Sequence, residues 1–408
     1  MWVLTTFFAL STLALGWLCA VYFVVMRFVG VLRRRSTAPV PDVLPALSIV
    51  VPCYNEADLI VEKLNNLLAC DYPAEKLEIV FVDGGSTDAT AQRLSARIPL
   101  GQGIRISHSP RKGKINQLNH VLPTLDGEYV VVTDVDGRMR PDTLKQLAAE
   151  FAADPKIGVV GAYSYASKAI WQDKCFWDSQ NRGRLMESDA HSSSIVIATC
   201  YAFRREMLSE FPDDVVADDV HVGFLGNSLG YRVVYSRQAI VEELRGPDDV
   251  SEFLSHKFRK NNAFLRESLR FLYRLPEMSG FCKLMTLTRI GQQLLLPWAV
   301  GLWSLIALTL LTLGRLDLLV VAVASLAVSI LVASQAFRSV DLPPGTASRY
   351  GVVRQGIVFL DTLFVLFAAA LSYPFFRQNS SYSRLRGSTR QRVEPETQRA
   401  GSPAGAGA

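Results

Sequence analysis

At 408 residues the chain is longer than one small domain and leaves room for a catalytic domain beside membrane helices. Hydrophobic residues make up 49%, high for a water-soluble enzyme, and the net charge of +5, with no RNA- or DNA-binding motif, argues against a nucleic-acid partner. The six cysteines show neither CxxC nor zinc-ligand spacing, so free thiols in a reducing compartment are expected rather than a metal knuckle or a disulfide framework.

The apolar residues concentrate in Trp2–Met26, Leu294–Leu313, Leu316–Phe337 and Ile357–Phe376. Each run approaches the ~20 residues that cross a bilayer as a helix. The first lacks a basic n-region and is long for a signal-peptide core, and it is followed by Arg27 and Arg33-Arg34-Arg35. These features predict an uncleaved anchor over residues 1–26 with its basic end in the cytoplasm. Residues 27–45 read as a basic, Pro-rich linker.

Residues 46–246 alternate strand-like and helix-like patterns. LSIVVP, LEIVFVD and YVVVTDVD read as buried strands, with a short strand expected at Ile104–Ser107. Helices are expected over Glu56–Ala69, Thr87–Ala96, from Lys114 toward Pro123, and over Pro141–Ala153. This alternation predicts an α/β domain with a mainly parallel sheet, whose ligands lie outside the carboxyl ends of the strands. Residues 247–290 begin with a basic amphipathic pattern (Phe253, Phe258, Leu265 and Leu272 among Lys257, Arg259, Lys260, Arg266 and Arg270), expected to lie on a membrane surface. Three apolar helices are expected within 291–376 and a disordered tail over 377–408. If every span crosses, the tail arginines (Arg377, Arg384, Arg386, Arg390, Arg392) lie outside, against the positive-inside preference.

Three acidic landmarks follow strand-like runs. In YVVVTDVDG, Asp134 and Asp136 stand two apart, so both carboxylates address one face and one hard cation, Mg²⁺ or Mn²⁺, that keeps positions open for phosphate oxygens. The bland alternative is a pair of turn-capping aspartates. Asp83, before GGSTD, would point into a nucleotide crevice, while Ser86 and Asp88 suit a capping turn. Lys114 opens a helix, where a cation opposes the helix dipole unless an anion such as a diphosphate is near. Asp218-Asp219 precedes another helix-like segment. Asp219 is the candidate general base, against the alternative of favourable N-terminal charge. The histidines lack ligand spacing and read as structural.

Taken together, VVPCYNEADLI, VFVDGGSTDAT, KGKINQLNHVL, VVTDVDGRMRPDTL and VADDVHVGFLGNSLGYRVVY resemble the membrane-bound family 2 glycosyltransferases with a GT-A catalytic domain, a group that includes hyaluronan, chitin-oligosaccharide and cellulose synthases and ceramide glucosyltransferases. The resemblance implies a Rossmann-like nucleotide-sugar fold with transmembrane helices. It implies that Pro52, Tyr54, Asn55 and Glu56 line the nucleotide pocket, that Asp83 holds base or ribose, and that Lys114 lies near the diphosphate. It also implies that Asp134 and Asp136 form the DxD motif with Asp136 the direct metal ligand, and that Asp219 is the catalytic base with Asp218 in place of the family's usual Glu. The family's QxxRW reads His256-Lys257-Phe258-Arg259-Lys260 here. Arg259 is retained, to contact the diphosphate. Lys260 replaces the tryptophan that stacks on acceptor sugar in processive members, and a lysine offers no flat apolar face.

The expected function is an inverting transferase in a bacterial cytoplasmic membrane, its catalytic domain cytoplasmic. It would move a sugar from a nucleotide-sugar, UDP being the expected nucleotide, to a lipid or lipid-linked hydroxyl. The alternatives are a synthase of a short oligo- or polysaccharide and, in another class, a catalytically inactive membrane interaction protein.

Overall fold

The structure, a computed structural model, describes residues 2–33, 36–99, 103–346 and 350–375. The basic tail and its expected disorder lie outside the described residues, as do Arg34 and Arg35 of the linker.

The N-terminal apolar run forms α1 (Trp2–Gly16) and α2 (Tyr22–Arg33), joined by a π-helical turn at Trp17–Val21. Together they make a 32-residue helix long and apolar enough to cross a membrane. Its last turns stand on the following domain: Tyr22, Met26 and Gly30 are buried. Gly30 permits this approach, because a Cβ there would meet the Asp189 side chain at 2.9 Å.

The domain runs through β1 (Leu47–Cys53), α3 (Ile60–Leu68), β2 (Leu77–Asp83), α4 (Thr90–Ser95), β3 (Ile104–His108), α5 (Lys114–Val121), β4 (Tyr129–Thr133), β5 (Gly137–Met139), α6 (Thr143–Ala153), β6 (Ile157–Ala166), α7 (Trp171–Ala190), β7 (Cys200–Arg204), α8 (Asp218–Ser228) and β8 (Arg232–Glu243). β1 and β4 are buried along their whole length, as continuous β-branched runs require when helices cover both sheet faces. The two hydrophobic cores lie on opposite faces, Ile49, Val51 and Phe81 on one and Val50, Val80 and Val82 on the other.

The sheet is mixed rather than mainly parallel. Its order is β3-β2-β1-β4-β7-β6-β8-β5. The first four strands are parallel, and so are β6 and β8. β7 runs against both β4 and β6, and β5 against β8. The reversal comes from an extra pass of chain after α7. His191 and Ser193 bond to Arg232 and Val233 at the amino end of β8, and Thr199 reaches Thr133 and Asp134 at the carboxyl end of β4. The chain therefore enters β7 from the opposite end. Nothing in the period of HSSSIVIAT signals that pass.

Helices start later than their patterns suggest, α3 at Ile60 and α4 at Thr90, because the preceding loops bond to each other. Ser86 Oγ accepts from Asn55 N, Thr90 Oγ1 from Glu56 N and Asp88 from Ala57 N.

After the domain come α9 (Val250–Phe271), α10 (Gly280–Leu294), α11 (Leu296–Thr312), α12 (Leu316–Arg338) and α13 (Val352–Ser372). α12 and α13 are each long and apolar enough to cross a membrane, and α10 with α11 passes the same test as a pair bent by 61°. Pro297, at the start of α11, lacks the N–H that a continuous helix would use. Leu305, Val320 and Phe364 are each more than 60% exposed, a surface suited to lipid and not to water. Three basic side chains of α9 are paired with protein carboxylates. Lys257 pairs with Asp173 at 2.7 Å, and Arg266 and Arg270 pair with Asp214 at 3.3 and 2.5 Å.

One carboxylate fastens these layers together. Glu187, fully buried, accepts from Tyr22 Oη at 2.6 Å, from Ser194 N and Oγ at 2.9 and 2.8 Å, and from Arg289 Nε at 2.5 Å. It thereby joins α2, α7, the extra pass and α10. Glu187→Ala leaves Arg289 and Tyr22 buried without their partner. A loss of about 3–5 kcal/mol is expected, read as a clear drop in the unfolding midpoint of the detergent-solubilised protein, while exposed Glu75→Ala leaves the midpoint unchanged.

Candidate active site

The carboxyl ends of β1, β4 and β8 open into a cavity of about 340 Å³, closed from the other side by α7, α9, α10 and α13. Pro52, Tyr54 and Glu56, at and just after the end of β1, line it. Asn55 does not line it. It adopts the left-handed region at φ 56°, and its Oδ1 accepts from Thr87 N at 2.7 Å. Asp83 likewise does not line the cavity. Its buried carboxylate accepts from Ser86 N at 3.2 Å and lies 3.4 Å from His108 Nδ1. The DGGST turn thus engages Asp83 with its own capping serine. Arg245, after β8, pairs with Glu56 at 2.7 Å and Asp58 at 2.9 Å, which fixes the loop that carries Tyr54.

Asp134 and Asp136 follow β4, and both line the cavity. Burial first, and then the Asp134 charge, raises the Asp136 carboxyl to about 6. A half-buried carboxylate of this kind, next to a second one, is an oxygen pair that a cation stabilises, and two hard oxygen donors suit Mg²⁺ or Mn²⁺. The residues therefore fit a divalent ion whose other positions are filled by phosphate oxygens and water. Among the described residues no group of three or more His, Cys, Asp or Glu is arranged to hold a metal alone. Behind the turn stands Lys63, 2% exposed, donating to Thr133 Oγ1 and Gly137 O on either side of the two aspartates. Burial lowers its pKa to about 8. The sequence carried a signal for it: Ile60, Lys63, Leu64 and Leu67 share the buried stripe of α3, and a lysine there needs a reason.

Lys114 heads α5 after Gly113, whose φ of 108° only glycine adopts readily. Its Nζ lies 2.9 Å from both Asp134 Oδ1 and Asp218 Oδ2. Asp218 is buried and also accepts from Tyr201 Oη at 2.7 Å. Asp219, beside it in the first turn of α8, faces the cavity and is oriented by Ala198 N at 3.1 Å. Burial, followed by the Asp218 charge, raises the Asp219 carboxyl to about 6, and Lys260 and Lys114 pull it back. The adjacent acids thus separate: one is held by Lys114 and Tyr201, the other is presented.

α9 contributes His256, Arg259 and Lys260 to the wall. The aromatic surface missing from position 260 comes from α7. Trp177 lines the cavity, with Lys260 Nζ 4.7 Å and Lys257 Nζ 4.5 Å from its ring centroid. Arg184, one helical face further along α7, lines the cavity too. Glu243 ends β8 in the same wall, its carboxyl pushed up to about 8 chiefly by burial. Trp177, Arg184, Glu243 and Arg245 were not singled out from the sequence, because their common cavity depends on the antiparallel return that it does not announce. Eight of the sequence-derived site residues (Pro52, Tyr54, Glu56, Lys114, Asp134, Asp136, Asp219 and Arg259) meet in this one cavity.

Residues 48–211 match the family model described as "Glycosyl transferase family 2". An N-acetylglucosaminyltransferase of Rhizobium leguminosarum bv. viciae is 26% identical over 301 residues, 68% of this chain and 68% of that protein. A poly-beta-1,6-N-acetyl-D-glucosamine synthase of Staphylococcus aureus (strain MSSA476) is 29% identical over 229 residues, 54% of this chain and 55% of the synthase. The mannosyltransferase PcManGT of Pyrobaculum calidifontis, solved with GDP-Man and Mn²⁺, superposes with a TM-score of 0.68 at 25% identity, over 92% of this chain and all of that one. The mixed sheet with its crevice at the strand ends is the GT-A-like architecture, and residues 48–211 form a glycosyltransferase domain of family 2.

Proposed function

We propose that this protein is an inverting membrane glycosyltransferase that moves a sugar from a nucleotide-sugar, a UDP-sugar by expectation, to a hydroxyl of a lipid or lipid-linked acceptor at the cytoplasmic membrane face. The observation that carries this reading is the placement of Asp134, Asp136 and Asp219 in one cavity whose far wall is built by Arg289 and Gln293 of α10 and Thr362 of α13. An acceptor can then reach the strand ends from the apolar helices while the donor enters over β1 and β4.

In this reading Asp219 takes the proton of the acceptor hydroxyl, and the oxygen attacks the anomeric carbon. The bond from that carbon to the diphosphate breaks with inversion, and the nucleoside diphosphate leaves. Pro52, Tyr54, Asn55, Glu56 and Asp83 form and brace the nucleotide side, while Lys114 and Arg259 stand where a diphosphate would be neutralised. A divalent ion held by Asp134 and Asp136 would offset the charge that develops on the leaving group. PcManGT was solved with Mn²⁺ and GDP-Man, which supports a divalent ion and leaves GDP as the alternative nucleotide.

A second reading, a synthase of a short N-acetylglucosamine-containing saccharide, is favoured by the names of the rhizobial and staphylococcal relatives. Labelled donor separates the two: a single added sugar supports the first, a ladder of products the second.

Asp219→Asn keeps the shape and removes the base. A fall in kcat of about 10²–10⁴-fold is expected, with donor binding retained. Asp136→Asn and chelation with EDTA should each remove metal-dependent turnover, and Mn²⁺ or Mg²⁺ should restore it only in the chelated wild type. Near wild-type turnover in either variant would sink the assignment.

The raised Asp219 pKa sets the acid limb. Protonation below about pH 6 removes the base, so kcat/KM should be level above neutrality and fall about tenfold per unit below that point. A divalent ion at saturating concentration keeps Asp136 ionised, so a limb that persists at saturating Mn²⁺ reports Asp219. A profile flat down to pH 5 contradicts that role.

A further inference from the structure

Lys63 sits where the packing of α3 calls for an apolar side chain. Ile60, Leu64 and Leu67 share its stripe, and it is buried as deeply as they are. Burying an ammonium group is expensive unless its N–H groups are met. The two acceptors that meet this one are neutral, Thr133 Oγ1 at 2.8 Å and Gly137 O. They stand immediately before and immediately after Asp134-Val135-Asp136. Asn66, three residues further along α3, continues the grip. Its Nδ2 donates to Met139 O at 2.8 Å, and its Oδ1 accepts from Met139 N at 2.9 Å. Residues three apart share a helix face, so one face of α3 holds the end of β4, the end of the turn and β5 in a row. The other bonds of the turn come from the turn itself and from the chain beside β7 and β8. Gly137 N donates to Asp134 O, Asp134 N to Thr199 O, and Leu244 N to Asp136 O. Without Lys63, the turn that carries the two carboxylates is tied to the sheet but loses its tie to the helix behind it.

We infer that Lys63 is a positioning residue for the divalent ion: its ammonium group, shared between Thr133 and Gly137, sets the spacing and aim of the Asp134 and Asp136 carboxylates. The inference rests on the reading of that pair as the metal ligands. Hydrogen bonds from a charged donor are shorter and stronger than neutral ones, which suits a group that must hold a turn rigid. Partners that hold metal ligands from behind are worth about 10- to 100-fold in metal affinity. A lysine kept only as a counter-charge predicts the opposite sign, because removing a positive charge near a cation site strengthens that site.

The test is Mn²⁺ binding to the full-length detergent-solubilised protein, followed by the EPR signal of free Mn²⁺, alone and with UDP or GDP present. Lys63→Met, matched in length and uncharged, should raise the Mn²⁺ Kd by about 10- to 100-fold. Thr133→Val keeps the ammonium group and removes one of its acceptors, and should raise the Kd by a smaller factor. The double variant should bind no more weakly than Lys63→Met alone, because both changes remove one shared interaction. An unchanged Kd in a folded Lys63→Met whose unfolding midpoint has dropped marks a purely structural lysine and overturns the inference. Tighter binding in Lys63→Met, with Thr133→Val unchanged, marks a counter-charge and overturns it too. Fully additive losses in the double variant also overturn it. If Lys63→Met does not fold, Thr133→Val carries the test, and an unchanged Kd there is fatal. Asp136→Asn reads the metal assignment separately. Loss of Mn²⁺ binding in that variant upholds the assignment whatever Lys63→Met shows, and binding as tight as wild type removes the assignment and the inference together.

Discussion

The site depends on making a cluster of neighbouring carboxylates tolerable. Asp134, Asp136, Asp218, Asp219 and Glu243 share one cavity wall, and two like charges about 4 Å apart repel by roughly 4 kcal/mol at an effective dielectric of 20. The fold answers with cations at fixed places. Lys114 stands between Asp134 and Asp218, Lys63 lies behind the Asp134–Asp136 turn, and Lys260 acts on both Asp219 and Glu243. Lys114 has the widest consequence, because it joins the turn after β4 to the start of α8. Under the proposed function these are the donor side and the acceptor side, so one ammonium group reports the charge state of each to the other.

That arrangement needs walls that do not move, and the hub at Glu187 supplies them. α7 reaches from the carboxyl end of the sheet, where Trp177 lines the cavity, to the amino end, where Glu187 meets the N-terminal helix and α10. The helix that places Trp177 and Arg184 is thereby anchored to the apolar helices. The membrane segments are then part of the site's construction: Arg289 both binds Glu187 and lines the cavity.

The sequence is legible where chemistry is local and strands are continuous. VVVTDVD gives a buried strand and two carboxylates on one face from period alone, and Asp134 and Asp136 do line the cavity. Lys114 is legible because a cation at a helix start needs an anion. Asp83 and Asn55 are harder. Both lie beside strand ends, yet the paired loops after β1 and β2 use them as acceptors for Ser86 and Thr87, a choice settled by tertiary hydrogen bonds. The antiparallel β7 is not legible at all, since it follows from the unpatterned pass between α7 and β7. Trp177 and Arg184 belong to that hidden part, because their helix shows no apolar stripe that would tell which side faces the site.

The replaced tryptophan in α9 takes on meaning in this geometry. Position 260 carries a lysine, and α7 brings an indole to meet it, with Lys260 Nζ 4.7 Å from the Trp177 ring. The aromatic and the cation have exchanged helices. An indole face occupied by ammonium groups is a poor platform for a sugar ring, which needs that face free for stacking. Lys257, Lys260 and Arg184 all lie over Trp177, so the wall that would grip a neutral polymer by stacking instead concentrates positive charge beside Asp219. Lys257 is paired with Asp173, and Lys260 acts on Asp219 and Glu243, so these cations answer the chain's own carboxylates while covering the indole. Under the proposed function, a sugar ring finds no free indole face here to slide along, which suits one transfer better than a ladder.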